Sequence, residues 1–190
     1  MGGTGDPVDS GAAPSAAARD DLAGVVDLFD WLTRAELSRA LSELAFKQRT
    51  EVDDDAIAAA IDVAVAEYAL VPAPPGALDE AGDEAPAVAA PDEGLDADDV
   101  ALAVGPAAFP SLPEDAGDLP HILDVPERDV DREALSKAVL ERLSEDAVAA
   151  IGEGDADRLE VLADVTYDIE AWAAVDAEPI RERIVAELDA

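Results

Sequence analysis

The sequence predicts a mainly α-helical protein: a winged-helix-like N-terminal three-helix core with a small β-hairpin, followed by a three-helix C-terminal part. Three observations point there. Apolar residues recur at three- and four-residue spacing in six segments, most of them opened by a capping residue or by acids. Two short apolar runs, 69–71 and 100–104, flank a stretch of Ala, Pro, Gly, Asp and Glu with few large apolar side chains. Proline clusters over 72–75 and 106–126 interrupt the helical pattern between its two halves.

The first helix is expected over residues 20–32, where Leu22, Val25, Val26 and Phe29 share a face. Thr33-Arg34-Ala35-Glu36 is a capping-box pattern, in which hydroxyl and carboxylate satisfy backbone N–H groups at a helix start. A second helix then runs to about residue 48 with Leu37, Leu41 and Leu44 on one face. Asp53 caps a third, Asp54 and Asp55 suit its positive end, and Ile57, Ala60, Ile61, Ala64 and Tyr68 form its apolar face.

Residues 1–19 read as a disordered tail and 20–72 as the helical core with the first hairpin strand. Residues 73–98 form a disordered acidic linker, an enlarged wing tip that lacks the apolar surface to order itself. Residues 99–130 hold the second strand and a proline-rich strap, where Phe109, Leu112, Leu119, Ile122 and Leu123 should lie against the helices. Residues 131–190 supply C-terminal helices packed on the same core. The first spans 131–151, with Ser144 as a point of breakage and Gly152 and Gly154 as its end. The second spans 155–174 and should be the most buried; the third spans 178–188 with Pro179 in its first turn.

Charge frames the function. The 190 residues include 46 acidic and 12 basic side chains, a formal net charge of -34. The acids are spread along the chain instead of forming a tail, so a compact state must withstand strong self-repulsion. At ~1 M salt the Debye length falls to ~3 Å and that repulsion is screened. Low Lys (Lys47 and Lys137 only), high Asp and abundant Ala and Val fit the same salt-adapted condition, with bulk salt cations at the surface. Cys is absent, which excludes disulfides and thiolate sites. The sequence holds no apolar run of membrane-spanning length, and residues 1–18 lack a secretion pattern, so a cytoplasmic protein is expected.

Two stretches carry a resemblance. One is Leu22-Ala23-Gly24-Val25-Val26-Asp27-Leu28-Phe29 with Leu32-Thr33-Arg34-Ala35-Glu36-Leu37 and Glu43-Leu44-Ala45-Phe46-Lys47. The other is Gly105-Pro106-Ala107-Ala108-Phe109-Pro110 with Leu119-Pro120-His121-Ile122-Leu123-Asp124-Val125. Together they resemble a haloarchaeal family of uncharacterised proteins over residues 20–190, apart from the acidic linker. The resemblance implies a halophilic protein and carries no catalytic or ligand residues.

The residues themselves offer little chemistry. The chain has no phosphate loop, dinucleotide fingerprint or nucleophile elbow, and its single histidine, His121, is expected to pack within the strap. The acid-rich segments lack the order of a calcium loop. No catalytic residue, metal ligand or cofactor site is therefore assigned, and no enzyme activity is expected. Two surfaces stay open. Arg34, Arg39, Lys47, Gln48 and Arg49 are candidate nucleic-acid contacts, set against the simpler role of partnering nearby carboxylates. Trp31 and Phe46 fall off their helical stripes, so they either lie under the strap or anchor a protein partner. A protein-interaction or regulatory module is the leading expectation; a winged-helix DNA-associated transcription regulator and a structural subunit of a larger complex are the alternatives.

The charge predicts a salt requirement. Circular dichroism from ~0.1 M to ~3 M salt should show helical signal and thermal midpoint rising together. A chain fully folded at the low end would contradict it.

Overall fold

The computed structural model describes residues 16–80, 88–89, 94–95, 97–126 and 128–190. Residues 1–15 of the tail expected over 1–19, and residues 81–87, 90–93 and 96 of the expected linker, lie outside these. Among the described residues the protein is mainly helical with a small antiparallel sheet.

Helix α1 covers Ala16–Asp27, so Ala16 to Arg19 belong to a helix instead of the expected tail. It ends five residues short of the expected boundary. Asp30 takes a left-handed φ of 62°, and Trp31–Thr33 then form strand β1. Helical periodicity could not foresee that switch, because the strand exists only through pairing with a partner 70 residues away. Helix α2, Arg34–Lys47, starts on the expected capping box: Glu36 N–H donates to the Thr33 hydroxyl at 3.2 Å, and Thr33 N–H donates to the Glu36 carboxylate at 2.8 Å. Helix α3, Asp54–Ala66, is capped by Asp53, which accepts from Ala56 N–H at 2.7 Å.

Strands β2 (Leu70–Pro72) and β4 (Ala101–Val104) pair antiparallel, as the two apolar runs predicted. The hairpin is only part of the sheet: β1 pairs along the other edge of β4, giving the order β1-β4-β2. The order α1-β1-α2-α3-β2-β4 is compatible with a winged helix. Residues 73–80, expected to be disordered, are structured. Pro75–Ala77 make a 3-10 turn, and β3 (Leu78–Glu80) pairs with β5 (Arg128–Val130) in a second, two-stranded sheet. Ala89 is buried and bridges Val100.

The three strands are apolar on both faces, and their pleat sends alternate side chains to opposite sides. Leu32, Leu70, Val100 and Leu102 join α1, α2 and α3 in one cluster. Trp31, Val71, Ala101 and Ala103 join the C-terminal helices in a second. Those helices are α5 (Arg132–Glu153), α6 (Ala156–Trp172) and α7 (Glu178–Leu188). They therefore cover the far face of the sheet instead of sharing the first core. Helix α5 runs through Ser144 without a break and ends at Gly154 in the left-handed region, φ 69°.

The strap is partly as expected. It crosses α1 where Ser111 N–H donates to Asp20 O at 3.0 Å and Phe109 N–H donates to the Asp20 carboxylate at 3.0 Å. It then forms the short helix α4, Leu119–Leu123, before β5. Leu119 and Leu123 are buried, but Phe109, Leu112, Ile122 and His121 are exposed. The expectation that the strap buries all its apolar residues, with His121 packed inside, fails because only one side of so narrow a segment meets the helices.

The crossing depends on Gly24. A Cβ there would stand 1.9 Å from Ser111 O, a backbone atom. Gly24→Ala gains ~1 kcal/mol of helix propensity but forces the strap outward, a cost of about 2 kcal/mol or more. Urea denaturation at fixed salt should show net destabilisation, whereas Gly152→Ala, which meets nothing within 4 Å, should not destabilise the fold.

Candidate functional site

The densest polar cluster joins the two sheets. Arg128, at the start of β5, donates from both terminal nitrogens to the Glu36 carboxylate at 2.7 Å each, and one of them also donates to Trp31 O at 3.1 Å. Its guanidinium lies 3.9 Å from the centroid of the Trp31 ring. Glu36 thus caps α2 and receives a bidentate arginine at once, a geometry lysine cannot supply. Burial alone would raise the Glu36 carboxyl; the hydrogen bonds from Arg128 and Thr33 and the Arg128 charge outweigh it and hold it below its ordinary value of 4.5. Arg39 and the 123–126 turn complete a hollow of about 190 Å³ beside this pair. Trp31 is fully buried here, so it does not reach the surface as a partner anchor.

The five candidate nucleic-acid contacts do not gather into one patch. Arg34 is buried, bonded to Asp62 and to the carbonyls of Ala58 and Leu95. Lys47 donates to Asp118 at 3.2 Å and to Asp115 O, and Gln48 donates to Glu114 O, so both tie α2 to the strap. Arg39 and Arg49 are exposed, with no ion pair among the described residues. The exposed positions of α3 are Asp54, Asp55, Ala56, Ala59, Asp62 and Ala66, a face with no arginine, lysine, asparagine or glutamine to read bases.

Phe46 differs from Trp31. It is 80% exposed near the end of α2, outside the strap's cover. Between α2 and α3 runs an apolar groove of about 230 Å³, walled by Leu41, Leu44, Ala45, Val52, Ala56 and Ala60. Val52, 45% exposed, stands at its opening.

A second polar cluster escaped the sequence. Tyr68 is buried with a left-handed φ of 60°, and its hydroxyl donates to Asp146 at 2.8 Å. Arg142 stacks 4.4 Å from the ring centroid and donates to Val65 O at 3.0 Å, while Arg158 donates to Ala66 O and pairs with Asp146 at 2.9 Å. The two arginines therefore cap the C-terminal carbonyls of α3 from α5 and α6. Burial pushes the Tyr68 hydroxyl far above the usual phenol range, so it stays a neutral donor. Nothing local in the sequence signals this network, because its members lie on three helices and a turn. Arg128 escaped for the same reason.

Among the described residues, no group of three or more His, Asp or Glu is placed to hold a metal ion, and no helix is long and apolar enough to cross a membrane. The class defined so far is a mainly helical protein with a sheet covered on both faces. The chain belongs to a family of unknown function (DUF7109), whose profile matches residues 20–189. No curated protein and no solved structure shows a significant match to the chain.

Arg128→Ala should cost about 3 kcal/mol by leaving Glu36 and the Trp31 face without their partner. The Glu36 carboxyl is lower in the folded state than in the unfolded chain. Its contribution is therefore present above the ordinary value and is lost as pH falls through the folded one. Glu36→Gln should remove that share of the acid dependence, seen as a shallower loss of thermal midpoint below about pH 4.5.

Proposed function

We propose that this protein is a non-catalytic protein-interaction or regulatory module of a halophilic cytoplasm. The observation that carries it is Phe46, a large aromatic held in solvent near the end of α2 while the neighbouring Lys47 and Gln48 are engaged by the strap. Exposed aromatics of this kind are the usual anchors of protein interfaces. The salt-adapted setting is supported by the net charge of -34 and by the resemblance to haloarchaeal proteins. The non-catalytic reading is supported by the position of His121, the single histidine, in solvent on a five-residue helix. A structural subunit of a larger complex would use the same surface.

The DNA-associated regulator has one observation in its favour, the element order compatible with a winged helix. Against it stand the acidic face of α3 and the engagement of Arg34, Lys47 and Gln48 inside the protein. Carboxylates facing phosphates are repelled, and salt weakens phosphate contacts further.

Affinity capture of the tagged protein in multimolar salt, with and without nuclease, separates the readings. The interaction module predicts a stoichiometric protein partner that survives nuclease and falls about tenfold with Phe46→Ala. Recovery of DNA, or of proteins lost on nuclease treatment, would favour the regulator.

A further inference from the structure

We infer that the α2–α3 groove is a docking site for an amphipathic helix of a partner protein that carries basic residues beside its apolar stripe. This rests on the interaction-module reading and names the partner's chemistry. The groove walls are side chains of Leu41, Ala45, Val52, Ala56 and Ala60. A space of about 230 Å³ is larger than the ~150 Å³ that admits a benzene ring, so it takes one or two large apolar side chains. Two neighbouring helices with a trough between them suit a third helix that inserts anchors at three- and four-residue spacing.

Charge selects the occupant. The residues lining the groove are uncharged, and Glu51, Asp53, Asp54 and Asp55, which flank the lining residue Val52 along the chain, are all exposed. Among the described residues Glu51, Asp54 and Asp55 make no ion pair, and the nearest cation along the chain is Arg49, two residues before Glu51. A second copy of this chain would set the same exposed carboxylates against each other at contact distance, where screening does not remove their repulsion. A helix with Lys or Arg flanking its apolar stripe meets the carboxylates at contact distance. Contact pairs are the electrostatic interactions that a Debye length of ~3 Å leaves in molar salt.

The test uses the full chain at a salt concentration where it is folded, and a labelled peptide of about fifteen residues. The peptide carries Leu at helical spacing and Lys on the flanks. One control scrambles the same residues; another replaces Lys by Glu. Binding is read by fluorescence anisotropy, and its location by NMR shifts. The Leu/Lys helix should bind at least about tenfold tighter than either control, with shifts centred on Val52, Ala56 and Ala60. Val52→Glu should weaken it about tenfold. Asp54→Lys with Asp55→Lys should reverse the preference towards the Glu peptide, a gain that misfolding cannot produce.

Equal binding of all three peptides, shifts elsewhere, or no reversal would overturn the proposal. So would a dimer in light scattering that Val52→Glu dissolves, since a second copy would then fill the groove. If affinity capture still yields a Phe46-dependent partner while the peptides fail, the groove assignment falls and the interaction module stands. If capture yields none, the module reading itself falls.

Discussion

Strand β4, Ala101–Val104, lies between two other strands and has no polar face. A strand of that kind is stable only if both sides of its sheet are kept from water, because each large side chain left exposed forfeits about 1.5–3 kcal/mol. Three helices of the N-terminal half share a cluster with one side, and α5, α6 and α7 share a cluster with the other. Neither half covers the sheet alone. The two connections that complete the cover, the 73–80 segment and the strap, are accordingly drawn into regular structure where they pass the sheet.

Arginine joins the layers. Arg128 couples the second sheet to the start of α2, Arg34 couples α2 to α3, and Arg142 and Arg158 bind the end of α3 to the C-terminal helices. Each donates to a backbone carbonyl, and Arg34, Arg128 and Arg158 also to a carboxylate. In a chain with only 12 basic side chains this internal use leaves the outside strongly acidic. The exposed apolar surface includes Phe46 and the α2–α3 groove, and Arg39 and Arg49 stand exposed among the acids.

Much of the fold was legible because it is governed by local rules. The caps at Thr33 and Asp53 are read from a side chain and the three residues after it, and both form. The pairing of β2 with β4 followed from two apolar runs with no helical period. Strand β1 was missed because Leu32 continues the spacing of α1 and Thr33 reads as the start of α2, and only pairing with the edge of β4 marks the residues between as a strand. Residues 78–80 were missed because their partner at 128–130 lies 50 residues on. The candidate surface was half legible. Trp31 and Phe46 look alike as off-stripe aromatics, yet one lies beneath Arg128 and the other stands in solvent.

The sequence by itself determined the six longer helices, the capped starts of α2 and α3, the pairing of β2 with β4 and the acidic composition, since these rest on periodicity, capping and composition. The tertiary structure decided which cations stay free, which aromatics are covered and where a groove opens. The covering of the aromatics depends on contacts between residues 50 to 100 positions apart, such as Trp31 with Arg128 and Tyr68 with Asp146. Their energies arise only when the sheet brings both halves of the chain together.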